Sequence, residues 1–253
     1  LLEELGGPRS LIDFANKLDF DTSTWNEEMG LALGQAEVTP LQMSRFVSTI
    51  LRGGKLASGS PVVLARNIRN EVVVVQSDVD IEVLSPESAG LTRDLMRLVV
   101  EAGTGGAVRG AAGRYGFRGP SIGKTGTTDS EKDLWFIGGT AHYTAGLWLG
   151  YDQPSRIGGS ASDLAAPLWG WWAKAVHEDL EEQELSGPEN IRRRVCKITG
   201  HRPNKSCSGV RAPFLEGTVP VTYCPVGHPP PDPDKPKYKS MWTPTLVIGD
   251  EVI

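Results

Sequence analysis

The chain has 253 residues, 39% of them hydrophobic and 23% charged, enough for one large domain, or a domain with an appendage, around a sizeable core. Its 31 acidic and 26 basic residues give a formal charge of −5, which leaves no net positive field to neutralise phosphates and argues against a nucleic-acid binder. No run reaches the about 18 to 20 apolar residues that cross a bilayer, no signal peptide opens the chain, and a start at Leu1-Leu2-Glu3-Glu4 without Met reads as part of something larger.

Leu11, Phe14, Ala15 and Leu18 share one helical face behind Gly6-Gly7-Pro8, with Ser10 as the candidate cap. A stronger helix signal is Thr39-Pro40-Leu41-Gln42: Thr39 suits the N-cap, Pro40 the first turn and Gln42 the reciprocal position of a capping box. Met43, Phe46, Val47, Ile50 and Leu51 then form an apolar stripe that Gly53-Gly54 ends. Residues 61–65 and 72–76 read as a hairpin of β-branched strands, and Ser85-Pro86 opens a helix with Leu91, Leu95, Leu98 and Val99 on one face. Residues 103–119 hold seven glycines and read as an extended loop.

Three antiparallel strands are expected next, over 121–125, 134–140 and 143–151. A last helix follows, carrying Leu164, Leu168, Trp171, Trp172, Ala175 and Val176, with Pro167 in its first turn. Helices, hairpin, helix, three strands and helix fit an α+β domain, an antiparallel sheet with helices packed on it, rather than a βαβ alternation. Residues 178–184 form an acidic, solvated run. Pro229-Pro230-Pro231-Asp232-Pro233 reads as an extended linker, and 242–253 as one further strand or disordered chain. The expected division is a domain over 1–182 and a Cys- and Pro-containing extension over 183–253.

The chemistry concentrates in Gly123-Lys124-Thr125-Gly126-Thr127-Thr128. A phosphate-binding loop needs a Gly where Arg118 stands and a helix where strands follow, so that reading fails. On an edge strand, Lys124 and Gly126 point one way and Thr125 and Thr127 the other. Gly126 then gives room for a substrate backbone, Lys124 supplies a cation near a nucleophile, and the threonine hydroxyls supply donors for a carboxylate. The Thr127 N–H fits one half of an oxyanion hole.

In order and spacing, this triad resembles the transpeptidase domain of class A, bifunctional penicillin-binding proteins. The resemblance rests on Val99-Val100-Glu101-Ala102-Gly103-Thr104-Gly105, then Lys124-Thr125-Gly126-Thr127-Thr128, Asp133-Leu134-Trp135-Phe136-Ile137-Gly138-Gly139, Gly146-Leu147-Trp148-Leu149-Gly150-Tyr151, Gly158-Gly159 and Ala165-Ala166-Pro167-Leu168-Trp169. Upstream, residues 33–41 match the stretch before the family's helix, and the cysteine-containing tail also has counterparts in the family. The resemblance spans about residues 1–180.

It implies a penicilloyl serine transferase fold, incomplete here, and a D-alanyl-D-alanine transpeptidase whose serine acyl-enzyme is also trapped by β-lactams. Lys124 and Thr127 are then the catalytic candidates, and Thr125, Gly126, Thr127 and Thr128 the substrate-binding ones. No metal or organic cofactor is expected. The implied partners are stem peptides ending in D-Ala-D-Ala, β-lactams and the N-terminal part of the same domain. The implied place is the extracytoplasmic face of the bacterial membrane, reached through an anchor outside this chain, in a parent that also carries a peptidoglycan glycosyltransferase.

The family also needs Ser-x-x-Lys and Ser-x-Asn before the triad. No Ser-x-Asn occurs in the chain, and the one Ser-x-x-Lys, Ser121-Ile122-Gly123-Lys124, overlaps the triad itself. A strand sends Ser121 and Lys124 to opposite faces, so they cannot work together. The chain alone is therefore expected to be inactive. A non-catalytic penicillin-binding-like sensor or binding module is the other reading.

Trp135, Phe136, Trp148, Trp169, Trp171 and Trp172 are expected in the core, and Asp129, Glu131 and Lys132 as solvated turn charges; only Asp133 matches the family pattern. Thr104 fits a cleft or a turn cap equally. Cys196, Cys207 and Cys224, with His201 and His228, admit a Cys207–Cys224 disulfide, thiols or a metal site. The gaps are uneven and no Cys-x-x-Cys occurs, which counts against metal, and an extracytoplasmic tail favours the disulfide.

Overall fold

Residues 2–57, 59, 64–75, 80–110, 115–227, 247–248 and 251–252 are described by the computed structural model. His228, the proline-rich run at 229–233 and Trp242 lie outside them.

Helix α1, Pro8–Lys17, starts where Pro8 sets the first turn behind Gly7 at φ 80°, and buries Ile12 and Ala15. Ser10 sits inside it and not at its cap, because the proline fixes the start two residues earlier. Helix α2, Pro40–Leu51, carries the full capping box between Thr39 and Gln42, and Gly53 and Gly54 leave it at φ 68° and 93°. Strand β1 is Lys55–Leu56, β2 Leu64–Arg66, β3 Val72–Val75 and β4 Ile81–Glu82. The expected hairpin is the β2–β3 pair over its described residues, 61–63 and 76 lying outside them, while β1 pairs with β4.

Helix α3, Pro86–Ala102, is capped by Ser85, whose side chain accepts from the Ser88 N–H. Its buried residues are Ala89, Gly90, Arg93, Asp94, Met96 and Val100. The expected Leu91, Leu95, Leu98 and Val99 face is not the buried one, and Leu95 is exposed. Within that buried face Gly90 allows a close approach: a Cβ there would meet Pro188 at 3.0 Å. A short 3₁₀ turn, Gly106–Arg109, interrupts the glycine-rich loop.

Strands β5, Ile122–Thr127, β6, Leu134–Gly139, and β7, Thr144–Leu149, form an antiparallel sheet in that order, with β5 at an edge. Helix α4 is Ala165–Val176. One core joins Leu134 and Phe136 to Val100, Val108, Ala161, Ala165, Trp169 and Ala173; the other joins Ile122 and Ile137 to Val47, Ile50 and Met96. The sheet is thus sandwiched between α4 on one face and α2 on the other, which is the α+β architecture expected. On α4 the buried face carries Trp169 among Ala165, Ala166, Gly170 and Ala173, with the expected Leu164 and Trp172 packed beside it, whereas Trp171 and Leu168 are exposed. A Cβ on Gly170 would overlap the Val108 carbonyl, so the backbone contact requires glycine there.

The acidic run at 178–184 is exposed as expected, apart from its hold on neighbouring side chains. Beyond it, β8, Ile191–Cys196, pairs with β9, Gly209–Phe214, and β10, Val247–Ile248, with β11, Glu251–Val252. Buried Arg93 reaches this tail, donating to the Ser186 carbonyl at 2.6 Å and the Pro188 carbonyl at 2.9 Å. It also pairs with buried Asp94, which accepts from Asn190 Nδ2 at 3.0 Å. Among the described residues, no helix is long and apolar enough to cross a membrane.

Candidate active site on the edge strand

The register of β5 against β6 sorts the triad by face. Thr125 lies opposite Phe136 and Thr127 opposite Leu134, so both threonines share the α4 face; Lys124 lies opposite Ile137 and Gly126 opposite Trp135, on the α2 face. This is the alternation expected. Gly126 has a cross-strand reason as well as a substrate one, since a Cβ there would stand 3.3 Å from Trp135 Cβ. Lys124 is solvent-exposed, and its Nζ donates to the Thr125 carbonyl at 2.6 Å. Enough protein surrounds the amine that desolvation holds its pKa below the usual lysine value.

Thr104 Oγ1 shares a hydrogen bond of 2.6 Å with Thr125 Oγ1, tying the turn after α3 to the strand. Two hydroxyls sharing one bond keep one hydrogen for a further acceptor. Thr127 Oγ1 accepts from the Ala161 N–H at 3.1 Å, so its own hydrogen also stays available. Thr128 differs. Its hydroxyl accepts from the Asp133 N–H at 2.9 Å and donates to Asp133 Oδ2 at 3.0 Å, which turns it into the β5–β6 connection. Asp133 is held from the other side by Trp148 Nε1 at 3.0 Å.

The connection between β5 and β6 holds what the sequence did not disclose. Ser130 and Glu131 both adopt positive φ, 63° and 55°, a conformation that costs energy in non-glycine residues. The turn is clamped by Glu131, whose Oε2 accepts from Arg156 Nε at 2.9 Å and from the Gly159 N–H at 3.2 Å, while its carbonyl accepts from the Ile157 N–H at 3.0 Å. The hydrogen bond from Arg156 holds the Glu131 carboxyl below its ordinary range. Glu131 is therefore not a solvated bystander: it fixes the segment that brings Ala161 to Thr127. A carboxylate and an arginine 25 residues apart gave no periodic or motif signal.

A family model, the penicillin binding protein transpeptidase domain, matches residues 9–152. The chain belongs to the penicillin-binding protein transpeptidase family. A Penicillin-binding protein 1A of Aquifex aeolicus is 30% identical over 200 residues, 77% of this chain and 26% of that protein. One of Clostridium perfringens is 29% identical over 163 residues, 61% of this chain and 19% of that protein. The chain thus spans about a fifth to a quarter of the length of these relatives. In fold it is similar to the crystal structure of Penicillin-Binding Protein 1A from Haemophilus influenzae, with a TM-score of 0.72 at 21% identity over 87% of this chain and 38% of that one. It is also similar to PonA1 from Mycobacterium tuberculosis, with a TM-score of 0.61 at 19% identity over 74% of this chain and 54% of that one.

Within this transpeptidase domain, Ser121 is buried and its Oγ has no hydrogen-bond partner, whereas Lys124 is exposed and bonded elsewhere. The overlapping Ser-x-x-Lys match therefore brings no nucleophile and base together. His142 and His177 sit away from the triad: His142 Nε2 meets the Glu181 carbonyl at 2.9 Å, and His177 Nε2 meets Thr140 Oγ1 at 2.9 Å. Phe136 and Trp169 fill the core as expected, their ring centres 5.2 Å apart.

Proposed function

We propose that this chain carries the Lys-Thr-Gly side of the acyl-transfer site of a serine-type D-alanyl-D-alanine transpeptidase. The observation that carries the reading is an edge strand of the family's sheet that bears a lysine of lowered pKa on one face and the Thr125 and Thr127 hydroxyls on the other, Thr127 keeping its hydrogen and Thr125 sharing one bond with Thr104. An edge strand accepts an extended peptide alongside it. The stem peptide would lie there with its terminal carboxylate near the Thr125 and Thr127 hydroxyls. A serine oxygen attacks the penultimate D-Ala carbonyl, the terminal D-Ala departs as an amine, and an amine of a neighbouring stem peptide displaces the serine from the ester. Lys124 stabilises charge and assists proton movement at the serine, Gly126 admits the substrate backbone, Thr128 shapes the end of the strand, and the Thr127 N–H polarises the reacting carbonyl.

The serine belongs, in this reading, to a Ser-x-x-Lys segment of a longer parent, together with a Ser-x-Asn segment, a membrane anchor and a glycosyltransferase portion. The parent works on the extracytoplasmic face of the membrane. Residues 1–182 are its transpeptidase portion and 183–253 an extension. The test is acylation by labelled penicillin. The chain alone should yield no serine-linked adduct by mass spectrometry, and a parent carrying Ser-x-x-Lys should yield one. In that parent, Lys124→Ala should slow acylation by about 10²-fold or more with the fold intact. An adduct on Ser121, or an unchanged rate in Lys124→Ala, would overturn the assignment.

A further inference from the structure

Cys196 closes β8, Cys207 precedes β9 and Cys224 follows the bridge between Arg202 and Tyr223. Three separate stretches of chain thus deliver one sulfur each to one place: the three Sγ atoms lie within 4.8 Å of one another. All three are buried, at 1%, 9% and 5% exposure, and no disulfide joins any pair. They form a cluster by themselves, with no aliphatic side chain among its members.

Donors point at these sulfurs. The Ile198 N–H approaches Cys196 Sγ at 3.4 Å, the Asn204 N–H approaches Cys207 Sγ at 3.4 Å, and Thr199 Oγ1 donates to Cys224 Sγ at 3.2 Å. Such outer donors orient and stabilise thiolates that serve as metal ligands. Cys207 Sγ also reaches Asn204 Oδ1 at 3.1 Å and Cys224 Sγ the Val226 carbonyl at 3.6 Å, two thiol donations that deprotonation gives up.

A disulfide would use two of the sulfurs and strand the third in the interior. A tetrahedral zinc ion, with Zn–S distances of about 2.3 Å, sets its sulfurs nearly 3.8 Å apart and takes all three. The unit also has little else to hold it. A two-stranded sheet is marginal by itself, and small units of this size are commonly stapled by metals or disulfides. Val195, Ala212 and Pro213 are the apolar residues that β8 and β9 bury besides Cys196.

We propose that Cys196, Cys207 and Cys224 are thiolate ligands of a structural zinc(II) ion that fixes the extension. Binding releases three protons to solvent and leaves the fourth position to water or another donor. His201 is buried and its Nδ1 has no hydrogen-bond partner, but its ring lies outside the sulfur group. The uneven spacing that counted against metal in the sequence is closed by the β8–β9 pairing and the Arg202–Tyr223 bridge.

Metal content of the whole chain, purified under reduction, tests this independently of any transpeptidase activity. The expected result is about one zinc per chain that survives dialysis. Replacement by cobalt(II) should give a thiolate charge-transfer band in the near ultraviolet and the visible bands of a tetrahedral site, both lost in Cys207→Ser. If that variant does not fold, the bands of the unaltered chain decide. Three titratable thiols and no retained zinc after incubation with zinc chloride would overturn the proposal. So would a single titratable thiol in the denatured, unreduced chain, which marks a disulfide.

Discussion

Thr104 Oγ1 and Thr125 Oγ1 stand 2.6 Å apart, so the turn that ends α3 and the strand that carries the triad share one hydrogen bond. The contact joins Val99-to-Gly105 and Lys124-to-Thr128, two motifs separated in sequence, at the candidate site. Breaking it by Thr104→Val or Thr125→Val should each cost about 0.5 to 1.5 kcal/mol of stability in urea denaturation. The double variant should cost less than the sum, because both singles remove the same bond. Strict additivity would mean that the hydroxyls do not meet in solution.

Two glycines of the strand separate packing from function. An added Cβ at Gly123 would overlap the Phe136 ring, in the middle of the core, whereas at Gly126 it meets Trp135 Cβ at 3.3 Å. Gly123→Ala should therefore destabilise by about 1 to 3 kcal/mol, as overpacking does. Gly126→Ala should cost less in thermal unfolding, yet more in acylation of the parent. The reverse order of stabilities would show that the edge, not the core, is the tighter contact.

The sequence disclosed most where local chemistry decides: the Thr39–Gln42 box, the Ser85 cap and the three strands all appear where their residues predict. It misled on the faces of α3 and α4. Bulky apolar residues mark a stripe by hydropathy, but the buried faces combine Met96, Val100 and Trp169 with Ala89, Gly90, Ala166 and Gly170, and leave Leu95, Leu168 and Trp171 outside. Close backbone approach selects small side chains, which carry little hydrophobic signal. The Glu131–Arg156 clamp and the convergence of three cysteines were hidden for a related reason. Both depend on tertiary pairing across uneven gaps, and no local period encodes that.

Arg93 ties α3 to the stretch at 186–190. Its guanidinium is buried with Asp94 and holds the carbonyls of Ser186 and Pro188. Removing it leaves Asp94 as a buried carboxylate supported by Asn190 alone of those partners. Arg93→Ala should cost about 3 to 5 kcal/mol, the usual penalty for orphaning a buried charge. Limited proteolysis should then cut within 183–190 first. Intact protection of that segment would show that the packing of β9 against α3 holds it without Arg93.

Lys124 gives a pH signature. Its folded pKa lies below 10.5, the ordinary value, because the protein around this exposed residue still desolvates the charged amine. Between the two values the unfolded chain binds more protons, so this group makes stability rise with pH; below the folded value its cost is constant and fully present. Lys124→Met should therefore be more stable than the parent chain at neutral pH, less so as the pH climbs toward 10.5. The lost bond to the Thr125 carbonyl opposes this, and a variant that is less stable throughout would show that bond to outweigh the desolvation of the amine.

Thr127 makes the sharpest test, because its hydroxyl has two separable duties. Its oxygen accepts from the Ala161 N–H, whose residue is fully buried, and the proposed function gives its hydrogen to a substrate carboxylate. Thr127→Val keeps β-branching and volume but removes both. The orphaned Ala161 N–H should cost about 1 to 3 kcal/mol of stability. Hydrogen bonds to charged groups are worth about 1.5 to 3 kcal/mol, so acylation of the parent by penicillin should fall by about 10- to 100-fold. Thr127→Ser keeps oxygen and hydrogen alike and should recover most of both. The two duties part on an analogue whose carboxylate is esterified. The stability loss is unchanged, whereas the acylation loss should shrink, because no anion remains to receive the hydrogen bond. Equal losses for free acid and ester would remove the carboxylate role and leave Thr127 with its backbone N–H and its hold on Ala161.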